Sequence, residues 1–221
     1  MAKFTRLEVY QKIHETGLIP LFYEPDFDRA KDLLTGCYNG GVRVVEFTNR
    51  GDFAHEVFGK LVKWADVALP ELILGIGTVV DASTAALYIQ IGANFVVTPM
   101  FQEDIARVCN RRMIGWLSGC ATLTEISRAQ EFGAEIVKVF PGEILSPAFV
   151  KGALGPMAWS KIMPTGGVEP TLESLLAWFN SGVVCVGMGS KLFPKGATAA
   201  EVSEKVRFCI DTIKSLRITK N

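Results

Sequence analysis

The sequence is poor in the side chains that metal sites and disulfide frameworks use. It has two histidines, His14 and His55, and five cysteines with no Cys-x-x-Cys spacing. An odd, scattered set argues against a structural zinc site or a disulfide scaffold. Cys37, Cys109, Cys120, Cys185 and Cys209 read as small core residues of a reducing compartment, with Cys120 alone in a candidate active-site loop. Both histidines fall in helix-like polar stretches, which points to surface or packing positions rather than catalysis. Net charge is also missing: 23 basic residues balance 23 acidic ones. The balance gives no electrostatic drive toward nucleic acid or a membrane surface, although local charge can still hold a small anion. No apolar run reaches the roughly 18 residues of a membrane helix. Residues 1–10 lack the apolar core of a secretory signal, so a cytoplasmic location is expected. No Pro/Gly/Ser-rich linker divides the chain, and a single domain over 1–221 follows.

What is present is alternation. Of the 221 residues, 49% are apolar, enough to bury a sizeable core. Eight short runs rich in Val, Ile and Leu read as strands buried on both faces, as in a parallel sheet. They are Leu18–Tyr23, Val42–Phe47, Leu72–Ile76, Phe95–Thr98, Met113–Leu117, Ile136–Phe140, Lys161–Pro164 and Val183–Val186. Helical patterns follow them at Asp28–Tyr38, Phe53–Ala65, Asp81–Ile91, Gln102–Asn110, Thr122–Phe132, Pro147–Leu154, Pro170–Asn180 and Thr198–Leu216, and a leading helix covers about Thr5–Glu15. Gly41, Gly92, Gly133 and Gly182 stand where helices end, and glycine supplies the left-handed turn that re-enters the sheet. Eight βα units in this length predict a (β/α)8 TIM barrel with an N-terminal leading helix. The rival, a doubly wound open sheet, wants a glycine-rich turn after the first strand. Tyr23-Glu24-Pro25-Asp26 has none.

In such a barrel the reactive groups lie where strands end. Lys138 stands inside Ile136-Val137-Lys138-Val139-Phe140, and Glu46 inside Val44-Val45-Glu46-Phe47. A buried charge is expensive unless paired or neutral. A structural ion pair would explain both residues. A desolvated amine able to attack a ketone, with a carboxyl to shuttle protons, would explain them equally. Arg50 closes the same loop as Glu46 and can clamp a carboxylate, and Thr78 can add a hydroxyl. Gly166-Gly167 and Gly189-Ser190, after the seventh and eighth strands, form a phosphate-site candidate, because bare backbone amides approach an anion closely.

These segments resemble the class I 2-keto-3-deoxy-6-phosphogluconate (KDPG) and 4-hydroxy-2-oxoglutarate (KHG) aldolase family, with its 6-phosphogalactonate relatives, from about Ile19 to Leu192. The likeness is carried by Gly40-Gly41-Val42-Arg43-Val44-Val45-Glu46-Phe47-Thr48 with Arg50, Gly75-Ile76-Gly77-Thr78-Val79 and Thr98-Pro99. It continues through Gly119-Cys120-Ala121-Thr122, Lys138-Val139-Phe140-Pro141, Pro164-Thr165-Gly166-Gly167-Val168 and Gly187-Met188-Gly189-Ser190. The resemblance implies that Lys138 forms an imine, Glu46 is general acid/base, and Arg50 and Thr78 bind the carboxylate. It further implies that Pro99 and Phe140 line the pocket, Thr165 contacts substrate, and Gly166, Gly167 and Ser190, with Gly189 beside them, hold phosphate. It implies no metal or other cofactor, a small keto acid phosphate as substrate, and a homotrimer.

The expected reaction is cleavage of KDPG to pyruvate and glyceraldehyde 3-phosphate, with 4-hydroxy-2-oxoglutarate as a second substrate. A 6-phosphogalactonate aldolase is the alternative: Cys120-Ala121-Thr122 sits closer to that branch, Pro164-Thr165 to the gluconate branch. Two other classes compete. A sugar-phosphate epimerase or isomerase would more often use paired carboxylates or a histidine at strand ends. A non-catalytic keto-acid-binding barrel would not need Lys138, Glu46 and Arg50 together.

Overall fold

The computed structural model describes residues 2–218. The ends of the predicted single domain, residue 1 and residues 219–221, lie outside the described residues. Helix α1 (Arg6–Thr16) opens the chain with a reciprocal cap between Thr5 and Glu8. Strands and helices then alternate: β1 (Leu18–Phe22), α2 (Phe27–Asn39), β2 (Val44–Thr48), α3 (Ala54–Ala68), β3 (Ile73–Gly77), α4 (Ala82–Gln90), β4 (Phe95–Val97) and α5 (Glu103–Arg111). The second half continues with β5 (Gly115–Leu117), β6 (Gly119–Cys120), α6 (Leu123–Glu131), β7 (Val137–Val139), α7 (Gly142–Leu154), β8 (Ile162–Pro164), α8 (Leu172–Asn180), β9 (Val186–Met188) and α9 (Ala199–Ile218).

All pairings are parallel, so the strands form a curled sheet in two segments, β5-β4-β3-β2-β1-β9 and β6-β7-β8. The segments meet at two seams. Just past the predicted fifth strand, Ser118 divides β5, which pairs with β4, from β6, which pairs with β7. On the other side, Thr165 bridges to Gly187 and the Val184 N–H donates to the Ile162 carbonyl at 3.0 Å.

Side chains alternate across each strand, and this splits the apolar residues into two layers. Val45, Phe47, Leu74 and Val139 pack outward against the helices. Ile19, Val44, Ile73, Phe95, Val97, Leu117, Ile136 and Met163 point inward, where Val9, Tyr10 and Ile13 of α1 join them. The leading helix therefore plugs the end of the sheet where the strands begin. Tyr10 fixes the plug: its hydroxyl accepts from the Trp116 N–H at 3.1 Å and donates to the Trp116 carbonyl at 3.3 Å.

The helix-ending glycines behave as predicted, with φ of 106, 109, 84 and 103° at Gly41, Gly92, Gly133 and Gly182. Asp26 caps α2, its side chain accepting from the Arg29 N–H. Three expectations need correction. The last strand begins at Val186, not Val183, because its register on β1 opens with Leu18 opposite Val186. Met113 is not strand but a left-handed turn residue (φ 53°) that closes α5 through its N–H to the Asn110 carbonyl. The helix predicted over Pro147–Leu154 starts earlier: residues 142–145 are also helical, and Ser146 (φ 61°, ψ 167°) breaks α7 before Pro147.

Candidate active site

The period-two rule decides which strand-end side chains meet. Glu46 and Thr48 share the inward face of β2 with Val44, and Lys138 shares that of β7 with Ile136. Glu46 is 1% exposed and Lys138 5%. Interior glycines make the room. A Cβ on Gly77 would lie 1.6 Å from Glu46 Oε1, and one on Gly187 would lie 2.5 Å from Thr165 Oγ1. A Cβ on Gly119, the register partner of Lys138, would meet the Pro99 carbonyl oxygen. The Phe140 ring centroid lies 4.8 Å from Lys138 Nζ. At the rim Arg50 Nε donates to Thr78 Oγ1 at 3.3 Å, and Thr78 adopts a left-handed φ of 58°. The structure thus brings Lys138, Glu46, Arg50, Thr78, Pro99, Phe140 and Thr165 to the end of the sheet opposite the α1 plug.

Burial is the largest influence on both titratable groups, and it pushes each toward neutrality. It raises the Glu46 carboxyl above its ordinary 4.5, against the opposing charges of Lys138 and Arg50. It lowers the Lys138 amine from 10.5; Glu46 opposes this and the Arg50 cation assists. A structural ion pair does not account for them. The nine ion pairs found among the described residues all involve other side chains, and Glu46 Oε2 has no hydrogen-bond partner among them. An uncharged amine beside a protonatable carboxyl can add to a carbonyl. Cys120 offers no competing nucleophile, since burial pushes its thiol up to about 12.

The two glycine loops are neighbours because Thr165 bridges to Gly187. Gly166 and Gly167 have φ of 87 and 66°. A Cβ on Gly166 would sit 2.0 Å from Glu143 Oε2, and one on Gly167 would sit 2.7 Å from Glu143 Cα. Glycine is required here by backbone conformation and by close approach together. Gly189 is half-buried and Ser190 exposed in the adjoining loop.

Residues 9–209 match the family model described as KDPG and KHG aldolase. The chain belongs to this aldolase family. A 2-dehydro-3-deoxy-phosphogluconate aldolase from Treponema pallidum is 31% identical over 88% of this chain and 90% of its own length. One from Pseudomonas aeruginosa is 35% identical over 82% of this chain and 80% of its own. Among solved structures, a 4-hydroxy-2-oxoglutarate/2-dehydro-3-deoxyphosphogluconate aldolase superposes with a TM-score of 0.80 at 27% identity, over 92% of this chain and 97% of that one. The KDPG aldolase of Legionella pneumophila, solved with pyruvate captured as a covalent carbinolamine, shares the fold (TM-score 0.78, 22% identity, 89% of this chain and 95% of that one). The chain is thus an aldolase, a carbon–carbon lyase.

Within this aldolase site, three neighbours escaped the sequence reading. Thr48 is 1% exposed and its hydroxyl has no partner among the described residues; its place two residues after Glu46 was the available signal. Glu143 against Gly166 depends on the unforeseen helical turn at 142–145. Lys191, directly after Ser190, pairs with Glu169 at 2.7 Å and so links the two glycine loops. Neither histidine is at a strand end: His14 lies on α1 and His55 on α3. All five cysteines are free and buried. No helix among the described residues is long and apolar enough to cross a membrane.

Proposed function

We propose that this aldolase cleaves KDPG to pyruvate and glyceraldehyde 3-phosphate through an imine on Lys138, and that it also splits 4-hydroxy-2-oxoglutarate. The observation that carries the reading is Lys138 itself: an amine buried inside the sheet, its pKa lowered by that burial, and in none of the ion pairs among the described residues. The neutral amine adds to the C2 ketone. Glu46 gives a proton to the departing C2 hydroxyl, water leaves, and the iminium forms. Glu46, now a carboxylate, takes the proton of the C4 hydroxyl as the C3–C4 bond breaks. Its electron pair passes to the iminium, giving an enamine. Protonation at C3 and hydrolysis release pyruvate.

Arg50 and Thr78 hold the pyruvyl carboxylate, which matches their mutual contact at the rim. Pro99, Phe140 and Thr165 line the pocket; Gly166, Gly167, Gly189 and Ser190 take the phosphate. The two sheet segments are read as one closed eight-stranded barrel, supported by the seams at Ser118 and Thr165–Gly187. We place the protein in the cytoplasm, as a homotrimer serving sugar-acid breakdown of the Entner–Doudoroff type.

The 6-phosphogalactonate reading, which Cys120-Ala121-Thr122 favours, also has a relative behind it. An Escherichia coli 2-dehydro-3-deoxy-6-phosphogalactonate aldolase is 31% identical over 60% of this chain and 64% of its own length. Pyruvate release measured on KDPG, its galactonate epimer and 4-hydroxy-2-oxoglutarate tests the assignment. The highest kcat/KM on KDPG is expected; no turnover of any of the three would refute it.

A further inference from the structure

Three buried side-chain oxygens at the site end of the sheet have no hydrogen-bond partner among the described residues: Glu46 Oε2, Thr48 Oγ1 and Thr165 Oγ1. A polar atom buried without a partner costs free energy, so each position implies a polar ligand or a functional reason. Thr165 already has a role in the proposed function, and Glu46 is its proton carrier. Thr48 has none. It is 1% exposed, and it lies opposite Gly77, the glycine whose missing Cβ leaves space for Glu46.

The spacing along β2 says what Thr48 can do. Residues two apart on one face stand roughly 6.6 Å apart along a strand. Thr48 Oγ1 makes no hydrogen bond to Glu46 or to any other described residue, and a single oxygen can bridge two groups with hydrogen bonds of about 2.8 Å each. Arg50, two residues further toward the rim, is in contact with Thr78 instead. A valine here would fill the same space without burying an unpaired hydroxyl, so packing alone gives no reason for threonine.

We propose that Thr48 is a further catalytic residue, which binds with Glu46 the oxygen that leaves C2 as water when the imine forms and that re-enters when it is hydrolysed. This rests on the imine reading above. In the forward step the neutral carbinolamine loses its C2 hydroxyl, Glu46 supplies the proton, and the products are iminium, water and the Glu46 carboxylate. Thr48 donates its O–H to the departing oxygen and keeps the water against Glu46. Hydrolysis is the reverse, with Glu46 taking a proton from that water as it attacks C2. Thr48 itself neither gains nor loses a proton.

The test compares wild type with Thr48→Val and Thr48→Ser by three readouts: kcat/KM, the rate at which pyruvate plus borohydride inactivates the enzyme, and Tm. For Thr48→Val both rates should fall by roughly tenfold or more, the scale of one hydrogen bond to a reacting atom. Its Tm should stay level or rise, because no protein hydrogen bond is lost. Thr48→Ser, which keeps the hydroxyl, should recover most of the rate. A Thr48→Val enzyme as fast as wild type would overturn the proposal. So would one that loses Tm and rate together with no recovery in Thr48→Ser, since that marks a packing role. A wild type that pyruvate and borohydride leave untouched would instead overturn the imine reading itself.

Discussion

The two ends of the sheet interior are built on opposite principles. At the end plugged by α1, the interior holds Val9, Ile13, Ile19 and Ile73, and its polar group, the Tyr10 hydroxyl, is used twice by Trp116. At the other end the same face carries Glu46, Thr48, Lys138 and Thr165, all buried, with three oxygens that have no partner among the described residues. Each unpartnered buried group costs of order 1–3 kcal/mol, so the site end is a standing cost that the plugged end offsets. Substitutions should sort accordingly: at the site end they remove rate and spare stability, and at the plugged end they do the reverse.

The largest expected effect is the loss of Lys138. Lys138→Met should lower kcat/KM by more than about 10⁴. Combined with Glu46→Met it should also stabilise the fold by about 1–3 kcal/mol, because a buried amine and a carboxyl with an unpartnered oxygen give way to apolar volume. Urea titration beside a pyruvate-release assay reads both numbers; a less stable double variant would break the comparison. Next comes Glu46→Gln, which keeps shape but cannot carry the proton, with an expected loss of roughly 10²–10⁴ in kcat.

At the plugged end, Ile13→Ala should cost about 2–5 kcal/mol through the cavity it leaves, with kcat/KM unchanged where the protein remains folded. A rate loss there would mean that the ends are coupled. The smallest effect is a displacement of the pH profile. The acid limb of kcat/KM reports deprotonation of Lys138 in the free enzyme, and burial sets it below 10.5. Arg50 lowers the Lys138 value and Glu46 raises it. Arg50→Met should therefore move the limb to higher pH, and Glu46→Gln should move it lower. Shifts of the same sign would mean that a different group is titrating.

The same contrast explains what was legible in the sequence. Apolar strands and helix-ending glycines write the fold directly, because one periodicity fixes both burial and element type. The site showed itself as violations of that pattern: a lysine and a glutamate where only apolar residues are cheap. Thr48 was harder to see, since threonine in a strand breaks no rule. Only its inward position with an unpartnered hydroxyl singles it out. The break at Ser118 was also hidden, because the residues on both sides of it are extended, and only the change of partner from β4 to β7 divides them. Glu143 and Lys191 meet the glycine loops through local turns that periodicity does not encode. The start of the last strand was misplaced because Val183-Val184-Cys185 is as apolar as the strand itself, and register rather than hydropathy chooses where pairing begins.

The central claim is that Lys138 is uncharged often enough, in its buried position, to bond covalently to a keto acid. Incubation with pyruvate and borohydride, followed by peptide mass mapping, tests it most directly. The account predicts irreversible inactivation with one reduced pyruvyl group per chain, located on Lys138 and missing from Lys138→Met. Full activity after treatment, or an adduct on any other lysine with Lys138 unmodified, would contradict it.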